Sequence, residues 1–305
     1  VKWKHLSGEQ IRPTQRRETS GANTPGMTFC LENKNGSLFM SAPRERFEDT
    51  DLFRTWDDDY YRSYFLSFYD SVIEYVIEKT GIKEGDEILE AGCGPCVHTI
   101  RMAKKGLKCI SVDFSAAVLE EGKARLSKEG LLDQVTLKQE DLTNLSFPDN
   151  SFSYIFCWGV IMHIPEPEKA IKELSRVLKP GGYLAISNNN ANSLDKLLME
   201  KIAYRFKRPK SLIKLGTSDL GRYAVFRDNN EDLFVQSLFP KKIAASFASN
   251  GLQLESCVGT QFTELYTQFR SDFIRRIFST INKFWFRHIR LPHLCAEHLL
   301  ILRKN

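Results

Sequence analysis

No stretch of this 305-residue chain approaches 18 consecutive apolar residues. That excludes a membrane-spanning helix of ordinary length. The N-terminal stretch has no apolar core of the secretory-signal kind, so no such leader is expected. Cysteine is sparse and odd in number, seven in all. That excludes a paired disulfide scaffold. Cys109, Cys157 and Cys257 sit inside apolar runs, as thiols do in a reducing, cytoplasmic compartment. His288, His293, Cys295 and His298 lie close in sequence. Their spacing matches no zinc pattern, and alternation along a strand would point some of them apart, so no metal site is expected. No internal repeat is visible.

What is present is an ordinary globular composition, 42% hydrophobic and 27% charged. The length is ample for a full core. The net charge of +5 is unevenly placed. Residues 196–214 hold seven Lys/Arg and one acid, and residues 270–290 hold six and one. Two basic patches are a sharper clue to partners than a weakly basic average.

Residues 1–50 are polar and without periodicity, and read as a disordered leader. From 51 onward the chain reads as one domain. Phe65, Phe68, Tyr69, Val72, Ile73, Val76 and Ile77 recur at helical spacing, and Gly81 ends that helix. Strands and helices then alternate. Strands are expected at 86–91, 107–113, 134–141, 153–160 and 183–188, with helices at 98–106, 115–130 and 166–182. Ser115 is placed to cap the second of these helices. Alternation of this kind implies parallel βαβ units and a doubly wound α/β sheet. The core spans 82–188. Residues 189–239 break the rhythm and read as a helical cap insertion. Residues 240–305 complete the sheet through a helix at 240–251, a strand at 252–260, an amphipathic helix at 268–290 and a terminal strand at 297–304.

Ligands of open parallel sheets bind beyond the carboxyl ends of the strands. "EAGCGPC" follows the first strand of the alternation, and it supports three readings. A dinucleotide fingerprint fits Gly92 and Gly94, but Val97 takes its third small position. A redox dithiol fits Cys93 and Cys96 at a helix start, but the rest of a thioredoxin-like domain is missing.

The third reading is a resemblance. "ILEAGCGPC", "SVDFS", "LKQEDLTNLSFPDNSF" and "YIFCWGVIMHIPEPEKAIKELSRVLKPGGYLAIS" occur in order. Together they resemble the class I S-adenosylmethionine (SAM)-dependent methyltransferases of the small-molecule type, related to quinone and sterol methyltransferases. The resemblance covers 86–188. It departs from the usual pattern at Cys96, where relatives often carry glycine, and at Ser153, where they carry an acid.

The resemblance implies a Rossmann-like sheet of seven strands with a reversed last strand. It also implies SAM as cofactor. Gly92, Cys93 and Gly94 would let the backbone pass close to the ribose and methionine tail. Glu90 would meet the tail ammonium and Asp113 the ribose hydroxyls. Phe114 would pack on adenine, Asp141 would accept from the adenine amine and the Leu142 N–H would meet the ring. Glu140 is the alternative to Asp141. Trp158 would lie near the transferred methyl. His163 is a candidate base, set against a role in ordering its loop, and no catalytic residue is assigned. Relatives that act on nucleic-acid amines carry Asp/Asn-Pro-Pro-aromatic after the fourth strand. This chain has Trp158-Gly159-Val160-Ile161, so no nucleic-acid partner is expected. A small-molecule or lipid-like acceptor is expected instead, chosen by 189–239 and the helix around Trp56–Tyr69, with Asn188, Asn189 and Asn190 toward it. An NAD(P)-dependent oxidoreductase and a non-catalytic SAM-binding or dithiol protein stay as alternatives.

The helix at 268–290 places Phe269, Phe273, Ile277, Ile281 and Phe284 on one face and Arg275, Arg276, Lys283, Arg287 and Arg290 opposite. The expectation is that its apolar face packs on the domain or the insertion. Peripheral contact with an anionic membrane is the other reading. The oligomeric state is left open.

Overall fold

The computed structural model describes residues 30–32, 38–40, 61–198, 212–228, 231–264, 269 and 271–305. Contacts divide the chain into residues 1–41 and 42–305. Within the first unit, β1 (Cys30–Glu32) and β2 (Leu38–Met40) pair antiparallel. This hairpin lies inside the segment expected to be a disordered leader.

The second unit opens with α1 (Ser63–Thr80), whose buried face is the expected Phe65, Phe68, Tyr69, Val72, Ile73 and Val76. Gly81 ends it at φ +70°, and its N–H closes on the Ile77 carbonyl. A left-handed residue here suits glycine, which has no Cβ to clash.

The βα alternation follows as read. The strands are β3 (Glu87–Ala91), β4 (Lys108–Asp113), β5 (Val135–Gln139), β6 (Phe152–Trp158) and β7 (Leu178–Asn189). Between them run α2 (Val97–Lys104), α3 (Ala116–Lys128) and α4 (Pro167–Val177). Ser115 caps α3 as expected, accepting from the Val118 N–H. Helix α4 ends at Val177, and the chain is extended from Leu178. It stops short of the expected 182 because Pro180 cannot continue a helix. Its buried Ala170, Ile171, Leu174 and Val177 keep the 3–4 spacing of one apolar stripe.

Two further strands close the sheet, β11 (Leu252–Gln261) and β12 (Glu297–Lys304). The order across the seven strands is β5-β4-β3-β6-β7-β12-β11. Strands β3 to β7 are parallel, and β12 pairs antiparallel with both β7 and β11. The reversed last strand is therefore present. Strand order reverses at β3 and β6, so the crevice at their carboxyl ends is the switch point where such sheets bind ligands. One core face joins α1, α2 and α3 to the sheet through Phe68, Met102, Leu126 and Phe156. The other joins α4 and α6 (Pro240–Ala248) through Leu174, Ile243 and Phe247.

Two expectations change. The insertion holds one short helix, α5 (Leu194–Leu198), but its other described residues form an antiparallel sheet. Its strands are β8 (Leu212–Thr217), β9 (Gly221–Asp228) and β10 (Glu231–Leu238), in the order β10-β9-β8. Sequences such as Tyr223-Ala-Val-Phe and Leu233-Phe-Val are rich in the β-branched and aromatic residues that strands favour. Most of the basic run 196–214, and Trp56, lie outside the described residues.

The second change concerns α7 (Asp272–His288). Its inward face is Ser279, Asn282, Trp285 and Phe286, while Phe273 is 73% and Phe284 59% exposed. The apolar stripe read from the sequence faces solvent. Particular partners hold the other face down. Ser279 donates to the Tyr64 carbonyl, and Asn282 exchanges two hydrogen bonds with the Thr263 backbone. Phe286 packs edge-on against Phe68 and Tyr75.

Candidate functional site

The carboxyl end of β3 carries Glu90, then the turn Gly92-Cys93-Gly94. Gly92 has φ +79°, and a Cβ there would meet the Val160 side chain at 2.4 Å. Only glycine fits both the angle and the approach. The N–H groups of Gly92 and Cys93 both bind the Val112 carbonyl, at 2.8 and 2.9 Å, tying the turn to the end of β4.

Asp113 ends β4 and clamps the same turn. One carboxylate oxygen accepts from the Gly94 N–H at 2.9 Å, the other from the Ser115 N–H at 3.1 Å. Backbone donors of this kind favour an ionised carboxylate and fix its plane.

Glu90 is 2% exposed and accepts from the hydroxyls of Thr99 and Ser111. Burial outweighs these bonds, and its pKa is pushed up to about 8, with nearby Asp113 adding to the rise. A buried carboxyl in this state is suited to a cationic partner. The two acids that the resemblance implied lie at the ends of adjacent parallel strands, β3 and β4, with Glu90 opposite Ser111 and Ala91 opposite Val112.

The adenine-side candidates are placed differently. Oδ1 of Asp141 accepts from both the N–H and the hydroxyl of Thr143, at 2.9 and 2.8 Å. That makes a local Asx turn. Glu140 is committed to the Ser146 N–H and hydroxyl and to Lys138. Leu142 is buried in the core. The Phe114 carbonyl accepts from the Gln139 side chain at 2.8 Å, and the residue is half-buried in the turn between β4 and α3.

The two cysteines read as packing residues. Cys96 is fully buried, and a Cβ at Gly122 of α3 would lie 2.5 Å from its sulfur. The side chain therefore faces the helix layer. Burial and the neighbouring Cys96 push the Cys93 thiol well above its ordinary pKa. A redox dithiol of the thioredoxin type needs the opposite shift.

Trp158 ends β6 across the switch point. It packs on Tyr69 of α1, His98 of α2 and Phe156, with centroid distances of 5.9, 5.5 and 6.0 Å. Tyr69 and His98 also meet directly at 4.7 Å. Burial lowers the His98 pKa to about 3, so its imidazole is neutral. Sequence reasoning placed Tyr69 in a helix near the site but missed His98. The signal was there: His98 stands in the first turn of the helix that the glycine turn opens.

It also missed a polar knot at the far side. Glu297, at the start of β12, accepts from Ser187, Thr260 and Gln261 at 2.8, 3.1 and 3.1 Å. Ser187 in turn accepts from the Gly159 N–H at 3.1 Å, which anchors the turn after Trp158. Burial raises the Glu297 pKa to about 7. An acid heading the apolar run "HLLIL" was the available signal.

His163 lies in a short turn after β6, and its Nδ1 is 3.1 Å from the Phe234 carbonyl on β10. Burial lowers its pKa to about 4. The ring orders its loop against the insertion. Asn190 is likewise structural, donating to the carbonyls of Pro292 and Cys295. Asn188 is fully buried, and neither atom of its amide has a hydrogen-bond partner among the described residues. The same holds for the side-chain oxygen of Gln236 on β10.

Residues 89–186, from β3 through most of β7, match the family described as "Methyltransferase domain". That match covers about a third of the chain. The match to the methyltransferase domain covers Glu90, the glycine turn, Asp113 and Trp158. Among curated proteins, methyltransferase GfsG of Streptomyces halstedii is 29% identical over 172 residues, 55% of this chain and 62% of that protein. The ubiquinone/menaquinone biosynthesis C-methyltransferase UbiE of Francisella tularensis subsp. novicida is 31% identical over 150 residues, 48% of this chain and 60% of that protein. The chain thus spans about three-fifths of the length of these two relatives. A solved S-adenosylmethionine-dependent methyltransferase of Clostridium acetobutylicum shares the fold. Its TM-score is 0.56 at 15% identity, over 84% of this chain and 98% of that one.

Proposed function

We propose that this chain is a SAM-dependent methyltransferase acting on a small-molecule or lipid-like acceptor. The carrying observation is the pair of buried acids, Glu90 and Asp113, flanking a glycine turn at the switch point of the sheet. SAM supplies an ammonium, ribose hydroxyls and a methyl group on a cationic sulfur. The residues present fit it. Glu90 suits the ammonium, and the clamped Asp113 carboxylate suits a diol. The bare Gly92 leaves no Cβ in the way. The faces of Trp158 and Tyr69 tolerate a sulfonium, and neutral His98 adds no repelling charge. Glu90 beside the glycine turn opposes a pyrophosphate, and Val97 fills the third small position of the dinucleotide fingerprint; both weigh against the NAD(P) reading, whereas Asp113 at its strand end suits a ribose diol in either.

Binding and alignment are the work these side chains can do, and holding the reactants in line supplies much of the rate in such transfers. The acceptor side is assigned to the end of β7 and to β10, a reading supported by the unsatisfied amide atoms of Asn188 on β7 and the side-chain oxygen of Gln236 on β10. Support for a lipid-like acceptor comes from the relative that acts in ubiquinone and menaquinone biosynthesis. Cys93, Cys96, Cys109, Cys157, Cys257 and Cys295 are free thiols, which supports a reducing compartment.

Calorimetric titration with SAM, and with NADH as control, tests the reading. SAM is expected to bind, and Asp113→Ala to weaken it by about 10- to 100-fold, the worth of hydrogen bonds to a charged group. Cys93→Ser/Cys96→Ser is expected to keep the affinity. Binding of NADH in place of SAM, or an Asp113→Ala protein that binds SAM unchanged, overturns it.

A further inference from the structure

The outer face of α7 is a feature that the proposed reaction does not use. Phe273, Ile277, Ile281 and Phe284 form one exposed stripe along the helix, and the chain beyond it adds exposed Ile289, Leu291 and Leu294. Residues 273–294 contain five Arg/Lys and no acid. On a wheel of 100° per residue, Arg276, Lys283 and Arg287 fall in one row directly beside the apolar stripe. A monomer seldom leaves so many large apolar side chains together in water, and patches of this kind mark contact surfaces.

The placement is deliberate in the fold. The buried side of α7 is pinned by Ser279, Asn282 and Phe286, as described above, so the helix cannot roll its apolar stripe inward without breaking those contacts. Arg275, by contrast, is buried and donates to the Phe269 carbonyl at 2.6 Å. Three basic side chains remain on the outer half of the helix, and none of them forms an ion pair among the described residues. An apolar stripe edged by cations and free of acid is complementary to one kind of surface, an acyl layer beneath anionic headgroups. A second protein surface would be expected to meet so basic a face with its own acids, and the described α7 surface offers a second copy only Asp272, at the helix start and already paired with Arg62.

We infer that the outer face of α7, with the segment 289–294, is a docking surface for an anionic lipid bilayer. The helix lies in the interface plane, its aromatic and aliphatic side chains in the acyl boundary and Arg276, Lys283 and Arg287 at the phosphates. No helix among the described residues is long and apolar enough to span a membrane, so the attachment is peripheral. Position gives it a use. Helix α7 packs along α1, the helix that brings Tyr69 to the site: Asp272 pairs with Arg62 at 4.0 Å and Arg276 lies over the Tyr64 ring at 5.7 Å. Segment 289–296 then leads to Glu297 at the ligand end of the sheet, where Asn190 holds it. The bilayer face and the mouth of the site thus adjoin. This consequence for acceptor supply rests on the proposed methyl transfer; the docking surface itself does not.

Sedimentation of the full chain with vesicles tests the docking directly. One set is pure phosphatidylcholine and the other carries about a third phosphatidylserine. The chain is expected to sediment with the anionic set at low salt and to be released as salt is raised. Phe273→Ser/Phe284→Ser is expected to weaken binding on the order of tenfold. Arg276→Glu/Arg287→Glu is expected to weaken it by more than about fivefold for each residue changed. Both variants alter exposed side chains, so they are expected to keep the wild-type unfolding curve and SAM affinity. A wild-type chain that ignores anionic vesicles overturns the inference, as does equal binding by either variant. Analytical ultracentrifugation decides the rival occupant: a dimer that Phe273→Ser/Phe284→Ser dissolves assigns the face to a second copy and also overturns it. Retained SAM affinity alongside lost vesicle binding separates failure here from failure of the methyl-transfer reading.

Discussion

At Glu90 the physics of burial and of ligand charge meet. The carboxyl sits in the sheet with two hydroxyl donors and no cation, and its pKa of about 8 records that imbalance. A ligand ammonium binds the ionised form, so binding must expel the proton. Affinity for SAM is therefore expected to rise with pH, several-fold between pH 6.5 and 7.5. The ligand's own ammonium begins to titrate near pH 8, so the rise ends there. Glu90→Gln cannot titrate and is expected to bind more weakly with no rise over that interval. Calorimetry of both proteins at pH 6.5 and 7.5 checks this, and a parallel rise in the variant would remove Glu90 from the ammonium's side. Much at this scale was legible beforehand. Gly92 and Gly94 follow from the need to turn a chain sharply at a strand end, while Glu90 and Asp113 were pointed to by the family resemblance. Asp141 was less so, because an Asx turn and a ligand contact ask for the same residue type. His98 was overlooked because a lone histidine carries no spacing signal, and only its place in the first turn after the glycine turn pointed to the site.

Helices show where pattern reading succeeds and where it fails. In α4 the apolar stripe at 170, 171, 174 and 177 is the buried stripe, as amphipathic helices usually have it. In α7 the stripe at 273, 277, 281 and 284 is the exposed one. Periodicity reports that two faces differ and is silent on which face meets the sheet. The decision lies in long-range partners, Tyr64, Thr263, Phe68 and Tyr75, which no local window contains. The insertion failed for a related reason, since short strands alternating with basic residues give a weak period. Orientation of α7 has a stability signature. Phe286 is 2% exposed between two aromatic rings, and Phe286→Ala is expected to cost about 3–5 kcal/mol. Phe284→Ala, on the outer face, is expected to change stability by about 0.5 kcal/mol or less. Denaturant unfolding of the pair reads this out, and a reversal of the two values would mean the helix is turned the other way.

The whole molecule sums these buried titrations. Glu90 and Glu297 have folded pKa values of about 8 and about 7, above the ordinary 4.5. Between 4.5 and those values the folded state holds more protons than the unfolded, so each removes stability as pH rises. His98 and His163 act oppositely. Their folded values of about 3 and about 4 lie below the ordinary 6.5. The unfolded state holds the extra proton up to 6.5, so each adds stability as pH rises toward that point. Two groups of each sign offset one another from about pH 5 to 6.5. Above 6.5 the histidines are neutral in both states and only the glutamates remain, Glu297 up to about 7 and Glu90 up to about 8. Stability of the free chain is therefore expected to be level to about pH 6.5 and then to fall by about 2 kcal/mol by pH 8. For a domain of this size that is a drop of several degrees in Tm. Saturating SAM is expected to restore most of the Glu90 part, because the bound ammonium stabilises the carboxylate that burial opposes. Thermal unfolding at pH 5.5, 6.5 and 8.0, with and without SAM, measures both effects. Stability that climbs from 6.5 to 8 in the free chain would show that the buried acids are ionised without help, and that the site does not wait for a cation.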